Sequence, residues 1–594
     1  AEANGLGEAD LEVLPTAEGR QLCEPEAFAK LPGTASFAIV CEAVGEDLLS
    51  EGLLNILSAA RAALGQRAAA FVPSEAELIA VPLELRTEEV EDLDLSPFNT
   101  LRRSYRSLAD ETGHGWFPVR LDCQPEATVQ LLSGPASVFS LAFAAGPGWA
   151  GEAPKATELR WEVASDGLLS GFAWWFRLKV GETEVSNAPE LAGAKKPKYE
   201  HGWKQAVQYL GEEWPVDART TLRASMRLAG SGPGRGKALR VELLEVCNAP
   251  LLLQPVPEPL ASLLASMPRG ASLPVQSYHF TMVGDSTRNM AYRRAIELTV
   301  AELRGKLGRA PFVLDLGAGT GLLGLLAARA GAEVWAVEMN PMLRAVAGLC
   351  LARNEDRLEG QVTLLPPMLS TQLRVGHELP HRMDLIVSEV LDADLLSEGV
   401  IVSLRHAKEE LLAPEGVMLP RAARACYAPM ECFPVSSAVQ DLDLSAVDRR
   451  LSVSCQPFRY ESMPHRLLAP PTSGFTFDFL SLPRPRPGAP VMVSSPQLAC
   501  RKDQVQIREA GTLTAVGYWF DLVLAQVEGK VLRLPAGTDS RQRTWKQNCR
   551  FVLEPRAVQP GDVLSVVCAH DDSAMYFIPE EDLNGQVFSR LEAS

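Results

Sequence analysis

The sequence predicts two copies of one α/β-plus-β module, of which the first copy is incomplete. Three observations predict this fold class: a long internal repeat, a region where short apolar strands alternate with helices, and stretches of short strands with proline-rich turns. Strands that alternate with helices are typical of a doubly wound parallel sheet. Short strands with few helices are typical of an antiparallel barrel or sandwich.

The internal repeat consists of matched segments that lie about 347 residues apart. Residues 38–53 (AIVCEAVGEDLLSEGL) match residues 385–400 (LIVSEVLDADLLSEGV). The later matches keep the same order, with a slowly drifting offset: 71–73 with 418–420, 92–96 with 441–445, Trp175-Phe176 with Trp519-Phe520, and 203–205 with 545–547. Ordered matches of this kind indicate a duplicated module.

The repeat and the change of pattern after Leu419-Pro420 predict five ranges. They are a partial Rossmann-like remnant of module 1 (1–90), the β-barrel of module 1 (91–247), a linker with one short helix (248–275), the Rossmann-like domain of module 2 (276–420) and the β-barrel of module 2 (421–594). Module 1 begins too late to contain the segment that opens module 2. Either module 1 is incomplete, or upstream residues of a longer chain complete it.

The composition narrows the classes of partner. A formal net charge of −17 argues against nucleic-acid binding through a basic surface and suits a cationic partner. The 11 cysteines show no C-x-x-C pair, so we expect no metal site and reduced thiols in a cytoplasmic and/or nuclear protein. No apolar run approaches the roughly 18–20 residues that cross a bilayer, so no membrane partner is expected.

The complete copy carries a regular series of elements. Apolar spacing predicts helices over 286–307, 320–330 (ended by Gly331) and 341–353, and strands over 311–316, 333–338, 362–365 and 383–389. Within this series, VLDLGAGTG (313–321) is a strand followed by a glycine loop that opens a helix. Glycines at 317, 319 and 321 allow a ligand to approach the backbone closely.

The glycine loop favours a nucleoside ligand without phosphates. Asp315 lies in the strand before the loop, and Glu338 ends the next strand, where a carboxylate can bind ribose hydroxyls. A dinucleotide fingerprint would need glycine at 322, where this chain has leucine, and the loop has no lysine to hold phosphates. S-adenosyl-L-methionine fits these requirements. The alternative interpretation is a purely structural glycine turn.

A pair of glutamates follows the last predicted strand. Glu389 ends that strand, where ligands of open parallel sheets bind, and Glu398 lies nine residues later at a helix start. Two carboxylates can grip a planar guanidinium and draw its positive charge toward one nitrogen. The other nitrogen is then oriented for attack on a methyl donor. Alone, such a pair is more often a favourable helix start.

At these residues the chain resembles the protein arginine methyltransferases, and in particular their tandem-module subgroup, types 7 and 9. VLDLGAGTG is similar to the family's first motif, and SEVLDADLLSEG (388–399) to its double-glutamate loop. HFTMVGDSTRNMAY (279–292) resembles the segment that folds over the cofactor. RTWKQ (543–547) resembles the family's threonine-histidine-tryptophan loop, with Thr544 at the histidine position.

The resemblance implies roles for individual residues. The cofactor S-adenosyl-L-methionine would be bound by His279, Met282, Arg288, Asp315, Gly317, Gly319 and Glu338, with Arg288 pairing with its carboxylate and Asp285 ordering the covering segment. The catalytic pair Glu389 and Glu398 would hold the substrate arginine, Trp545 would pack over it, and Asp392 and Asp394 would select arginines with basic neighbours.

The resemblance also implies partners and a division of labour. Substrates would be arginine-rich proteins, such as histones or RNA-binding and splicing proteins. Module 1 keeps Glu42, Glu51, Trp175 and Trp203 but has no counterpart of the glycine loop, Arg288 or Glu338. We therefore expect it to dock on module 2 as an intramolecular pseudo-dimer. The alternative is a catalytically weak scaffold that binds arginine-rich proteins without turnover.

Overall fold

The computed structural model describes the chain in segments that together carry both sheet systems. The described residues are 31, 36–102, 116–121, 129–143, 153–189, 203–230, 237–249, 258, 260–266, 277–433, 455–462, 464–482, 499–537, 542 and 544–583. The repeat copy at 441–445 lies outside them, as does most of the predicted linker 248–275. Within that linker, the predicted short helix is confirmed at Leu260–Ser266.

The helices lie mainly in the second half of the chain. They are α1 (Leu53–Leu64), α2 (Leu260–Ser266), α3 (Ser277–Val283), α4 (Ser286–Leu307), α5 (Leu322–Arg329), α6 (Pro341–Asn354) and α7 (Val400–His406). Helix α4 begins at Asp285, whose carboxylate accepts the backbone N–H of Arg288 as an N-cap, and ends at Gly308 in the left-handed conformation. None of the described helices is long and apolar enough to span a bilayer.

The strands of the first half form three sheets and one separate hairpin. They are β1 (Phe37–Val40), β2 (Ala68–Val72), β3 (Glu75–Leu85), β4 (Glu89–Val90), β5 (Leu93–Asp94), β6 (Phe117–Val119), β7 (Val129–Leu131), β8 (Ala136–Ala142), β9 (Ala156–Glu162), β10 (Gly167–Val180), β11 (Thr183–Ser186), β12 (Gln205–Val216), β13 (Thr221–Gly230) and β14 (Lys237–Cys247). A parallel pair β1–β2 precedes an antiparallel sheet of order β6-β12-β10-β3-β7, and β14-β13-β9 form a third sheet. The short hairpin β4–β5 stands apart from these sheets.

The strands of the second half repeat this arrangement after a complete parallel sheet. They are β15 (Phe312–Leu316), β16 (Glu333–Val337), β17 (Gln361–Leu364), β18 (Met383–Ser388), β19 (Leu412–Leu419), β20 (Ala422–Cys432), β21 (Cys455–Phe458), β22 (His465–Leu467), β23 (Thr472–Asp478), β24 (Ala499–Gln506), β25 (Gly511–Val527), β26 (Lys530–Pro535), β27 (Gln547–Val558), β28 (Val563–His570) and β29 (Met575–Pro579).

A five-stranded parallel sheet of order β17-β16-β15-β18-β19 forms the centre of the second half. The strand order reverses between β15 and β18, and ligands of open α/β sheets bind at such a point. The apolar run of β18 is buried at every position, as expected for a strand covered on both faces. Each predicted helix and strand of this region is confirmed within two residues.

The two large antiparallel sheets have the same strand order. The second is β21-β27-β25-β20-β22, with β23 also paired to β20 and β26 to β25, which corresponds strand by strand to the first. Cis peptide bonds precede Pro73 and Pro420, one just before each sheet. Strand β3, which begins at Glu75, belongs to the first antiparallel sheet. The predicted domain boundary at residue 90 is therefore wrong, and the change of domain falls near residue 74.

The hairpin β4–β5 of the first half rests on helices of the parallel-sheet domain. Arg293 on α4 bonds to Glu91 at 3.2 Å and to Asp92 at 2.9 Å. The fully buried Asn354 at the end of α6 accepts the Asp94 N–H and donates to the Asp94 carbonyl, both at 2.9 Å. This amide pairs with a backbone as a neighbouring strand would, so it binds the hairpin to the second half.

Replacing Asn354 should weaken this attachment. Asn354→Ala leaves the N–H and C=O of Asp94 without their partner, so we expect a loss of about 1–3 kcal/mol of stability, read as a lower midpoint in calorimetry. Arg353→Ala is the matched control, because Arg353 is exposed on the same helix turn. A midpoint equal to that of the control would contradict this role.

Candidate functional site

The glycine loop lies between β15 and α5. It contacts the segment from Glu389 to Gly399, which we call the glutamate loop. Gly317, Gly319 and Gly321 have φ values of 78°, 56° and 84°, a region that favours glycine. A Cβ atom at Gly317 would lie 2.8 Å from Cγ2 of Val390, whereas one at Gly319 would meet nothing within 4 Å. The backbone at Gly319 is therefore open to a ligand, and that at Gly317 is held close to the residue after Glu389.

Two acidic side chains shape the glycine loop. Asp315, fully buried in β15, accepts the Gly324 N–H at 2.8 Å, and burial raises the pKa of its carboxyl to about 7. Glu338 follows β16 and accepts the N–H groups of Gly319 at 2.9 Å and Asn340 at 2.7 Å. The structure thus shows both residues bracing the loop, and their predicted contacts with a cofactor stay predictions.

The centre of the site is a buried ion pair between Arg288 and Glu389. Nη2 of Arg288 lies 2.6 Å from Oε2 of Glu389, and the two side chains are 4% and 6% exposed. Nη1 of Arg288 also donates to Asn289. Burial raises the pKa of Glu389, and the adjacent guanidinium opposes that shift and favours the ionised form.

Several buried polar atoms around this pair have no hydrogen-bond partner among the described residues. They are Nε of Arg288, Oε1 of Glu389, Oγ of Ser388, Oδ1 of Asp315 and Oδ1 of Asp392. An isolated buried polar atom costs about 1–3 kcal/mol, so native proteins rarely keep several together without a ligand role. The donors and acceptors here converge on the carboxyl ends of β15 and β18, and the arrangement suits a polar ligand.

Glu398, the second glutamate of the predicted pair, lies near Glu389 and Asp392. Its side chain is exposed, and Gly399, with a φ of 82°, is the N-cap of helix α7 directly after it. Burial against the surrounding protein, together with the charges of Glu389 and Asp392, raises the pKa of Glu398 to about 7. The structure therefore places the two predicted glutamates near each other, with the Glu389 side chain buried and the Glu398 side chain exposed.

The second antiparallel domain holds the glutamate loop by three hydrogen bonds. Trp545 donates its indole N–H to the Leu391 carbonyl at 2.8 Å, and Asn548 donates to the Ala393 carbonyl at 2.6 Å. The Tyr518 hydroxyl donates to Oδ1 of Asp394 at 2.7 Å. Trp545 is only 2% exposed, so its observed role is to position the loop. Its predicted packing over a substrate stays a prediction.

Sequence reasoning missed Asn548 and Tyr518. Tyr518 directly precedes the repeated Trp519-Phe520 pair, so the repeat marked its strand but not its hydroxyl. Asn548 follows the repeated Trp-Lys-Gln segment and has no counterpart there, because the corresponding residue of the first copy is Ala206. Only the approach of β25 and β27 to the loop identifies them.

Thr544 occupies the position that the resemblance assigns to histidine. Its backbone N–H and its hydroxyl both donate to Oδ2 of Asp285 at 2.8 Å. Oδ1 of the same carboxylate caps α4 at Arg288. The substitution thus keeps the antiparallel domain bonded to the segment before Arg288.

The two aspartates of the loop differ in their surroundings. Asp394 is bonded to Tyr518, and burial raises the pKa of its carboxyl to about 7. Asp392 accepts a hydrogen bond from Ser397, and its second oxygen has no partner among the described residues. Asp392 is therefore the more available of the two for a ligand. Their predicted role in substrate selection is untested by the structure.

His279 and Met282 lie on α3, the short helix just before Asp285. Both are partly buried, and Met282 packs against the main core. The Met282 carbonyl accepts the Asp285 N–H at 3.1 Å, which joins α3 to the start of α4. The structure therefore places both residues on the helix that precedes Arg288, and their predicted contacts with a cofactor stay predictions.

The first half holds its own acidic loop in a similar way. Trp203 donates its indole N–H to the Val44 carbonyl at 2.7 Å, and Asn187 donates to the Glu46 carbonyl at 3.1 Å. Val44 and Glu46 lie 347 residues before Leu391 and Ala393, the carbonyls held in the second half. Glu42 and Glu51 are both exposed.

The parallel sheet, with its glycine loop, the acidic residue after the second strand and the pair of glutamates after the fourth strand, defines the class of S-adenosylmethionine-dependent methyltransferases. No family model matches the chain. The chain is 31% identical to an arginine N(omega)-methyltransferase of Streptomyces achromogenes subsp. streptozoticus over 376 residues, which cover 61% of this chain and 96% of that one. This chain therefore belongs to the arginine N-methyltransferases.

Other relatives are longer, and the chain spans about half their length. It is 31% identical to protein arginine N-methyltransferase 7 of Drosophila mojavensis and 29% identical to that of Drosophila yakuba, covering 46% and 47% of those chains and 50% and 51% of this one. Among solved structures, the PRMT1 enzyme-prozyme complex with AdoHcy of Trypanosoma brucei matches with a TM-score of 0.40 and 20% identity, over 49% of this chain and 89% of that one.

The raised pKa of Asp394 predicts a pH-dependent stability. Unfolded aspartate titrates near 3.9 and folded Asp394 near 7, so the folded state binds more protons between these values. The contribution of Asp394 is thus fully present below about pH 4 and is lost as the pH rises through about 7. Asp394→Asn should flatten the slope of unfolding free energy over this range by up to about 1.4 kcal/mol per pH unit.

Chemical denaturation at pH values between 4 and 8 measures this slope. Asn can still accept the Tyr518 hydrogen bond, so the variant removes the titration and keeps the contact. Asp356→Asn serves as the control, because Asp356 is exposed on the surface after α6. Equal slopes for Asp394→Asn and wild type would show that Asp394 titrates normally.

Proposed function

We propose that this chain methylates arginine side chains of proteins, with the second module catalytic and the first module structural. The observation that carries this proposal is the buried Arg288–Glu389 pair, in which Oε1 of Glu389 has no hydrogen-bond partner among the residues that the structure describes. A carboxylate oxygen buried in this way needs a hydrogen-bond donor. A guanidinium has the charge and the planar donors to meet this need.

The residues present fit S-adenosylmethionine. Gly319 leaves open space where a side chain would stand, and Nε of Arg288 is a buried donor without a partner among the described residues. Arg288 is thus suited to a carboxylate ligand, and Asp315 and Glu338 present acceptors around the loop. Gly317, His279 and Met282 would line the same cavity. The cofactor, when bound, supplies an electrophilic methyl group.

The glutamate pair orients and activates the substrate. Glu389, paired with Arg288, would hold the guanidinium from the buried side. Glu398 would hold it from the exposed side, so that the planar group is fixed with one nitrogen toward the methyl donor. Glu398 also has a pKa of about 7 and reaches solvent, which places it to take the proton released from the methylated nitrogen.

Support for a structural first module comes from its contacts. Its hairpin β4–β5 bonds to α4 and α6, and its residues Leu93, Leu95 and Phe98 lie in one hydrophobic core with the parallel-sheet domain. Its large sheet has the strand order of the second module's sheet. We infer an intramolecular pseudo-dimer in which the first module takes the place of a second subunit.

Support for arginine-rich protein substrates comes from charge and from relatives. The chain carries a net charge of −17, and Asp392 adds an available carboxylate beside the pair. Relatives of the type 7 group are named protein arginine methyltransferases, whereas the Streptomyces relative is named for arginine alone. Histones and RNA-binding or splicing proteins have the required composition, and a cytoplasmic and/or nuclear location would bring the enzyme to them.

A scaffold without turnover is less well supported. Thr544 would favour this alternative if the absence of a histidine left the segment before Arg288 without a partner. Thr544 instead gives Asp285 two hydrogen bonds. Thr544 therefore holds the segment before Arg288, as the histidine of the resemblance would.

Removing the charge of either catalytic glutamate should abolish methyl transfer. Glu389→Gln and Glu398→Gln should each lower the transfer of labelled methyl groups to an arginine-rich peptide by at least about 100-fold, because oriented charge contributes several kcal/mol to such steps. The matched control carries Glu42→Gln and Glu51→Gln together in the first module. A dead control enzyme would refute the structural role of that module.

Reversing the charge of Asp392 should change substrate preference. Asp392→Lys should reduce turnover about tenfold or more on peptides with clustered arginines, and less on a peptide with an isolated arginine, because like charges repel in the site. Ser397→Ala removes the hydrogen bond to Asp392 without changing charge and is the control. Equal loss on all peptides would mean that Asp392 supports the loop without selecting the substrate.

A further inference from the structure

Arg102 of the first module is a buried cation without an acidic partner among the described residues. It is 4% exposed, and its Nε has no hydrogen-bond partner in the described part of the chain. Its two hydrogen bonds, to the Tyr209 hydroxyl and the Thr87 hydroxyl, are both 3.5 Å long, at the outer limit for such bonds. Burying an arginine in this way is costly, so a stabilising contact elsewhere is expected.

That contact is the ring of Phe280 on helix α3. Cζ of Arg102 lies 4.0 Å from the centroid of this ring, well within the range of a cation–π interaction. Phe98, four residues earlier and on the same side of a helical turn, places its own ring 4.5 Å from the ring of Phe280. Two side chains of the first module therefore hold one side chain of α3, and Phe280 is itself buried.

Helix α3 is joined to the ion pair of the site by a short series of contacts. The Phe280 carbonyl accepts the Gly284 N–H at 3.1 Å. The Val283 carbonyl, at the end of the same helix, accepts a hydrogen bond from Asn289 at 2.7 Å. Asn289 in turn accepts a hydrogen bond from Arg288, the partner of Glu389. A shift of α3 would therefore be transmitted to Arg288.

We infer that Arg102 is a positioning residue that holds α3 against the cofactor site from the first module. This inference rests on the proposed function, because it assigns S-adenosylmethionine to the site beside α3. The first module then does more than support the fold: one of its side chains sets the affinity of the second module for the cofactor. Arg102 itself contacts neither cofactor nor substrate in this scheme.

Arg102→Met tests the inference, because methionine fills much of the same space without charge. The dissociation constant of S-adenosylmethionine, measured by calorimetric titration, should rise about three- to tenfold, and the KM for peptide should stay unchanged. Amides of residues 277–283 should exchange faster with deuterium in the ligand-free protein, while those of Leu322–Arg329 stay as in wild type. Arg102→Lys should restore part of both effects.

Two further variants serve as controls for Arg102→Met. Arg357→Met removes an ion pair with Glu89 at the same inter-module contact, away from α3, and should leave cofactor affinity unchanged. Phe280→Leu removes the ring, and adding Arg102→Met to it should cause no further loss, since the contact is then already absent.

The outcomes separate the inference from the proposed function. Removing a buried unpaired charge can stabilise a protein, so a merely structural Arg102 predicts equal or higher stability with unchanged affinity and exchange in Arg102→Met. That result would overturn the inference. If the wild-type protein binds no S-adenosylmethionine, the proposed function fails, and faster exchange of 277–283 in Arg102→Met would still support the contact with α3.

Discussion

The buried pair of Arg288 and Glu389 is the interaction on which the rest of the site depends. A carboxylate at the end of β18 and a guanidinium on α4 are removed from water together, which is tolerable only if both are held in place. The surroundings provide this. Asp285 caps the helix that carries Arg288, and Thr544 bonds Asp285 to the second antiparallel domain. The ion pair thus joins α4 to the end of β18 at the point where a ligand is expected, and the Asp285–Thr544 contact connects it to the second antiparallel domain.

The glutamate loop is held in place by hydrogen bonds from another domain. Its eleven residues from Glu389 to Gly399 contain no helix or strand, and Leu395 adopts a positive φ of 71°. Hydrogen bonds from Trp545, Asn548 and Tyr518 hold the loop at three successive points. Positioning of this kind keeps reacting groups in a fixed geometry at no cost during the reaction. Part of the support of the candidate site therefore lies in a domain that contributes neither of the two glutamates.

The first half of the chain has hydrogen bonds that hold its acidic loop in the same way, but it has no glycine loop among its described residues. Trp203 and Asn187 hold the acidic loop at positions equivalent to those held in the second half. The surfaces that link the halves are of mixed character, with ion pairs around Arg293 and a shared apolar core around Phe98. Within it, Arg102 and Phe98 contact the ring of Phe280 on α3, which is the physical basis of the inference about Arg102.

The sequence by itself determined the elements of the parallel sheet, the glycine loop, the glutamate spacing and the duplication, because each is a local pattern of apolar period, turn residues or repeated motif. Tertiary structure decided what those patterns do not encode. It placed the start of the first antiparallel sheet at Glu75, paired Arg288 with Glu389, buried Trp545 behind the loop and added Asn548 and Tyr518 as its supports. These contacts join residues that are about 100 to 155 positions apart, and only the packing of sheets and helices brings such residues together.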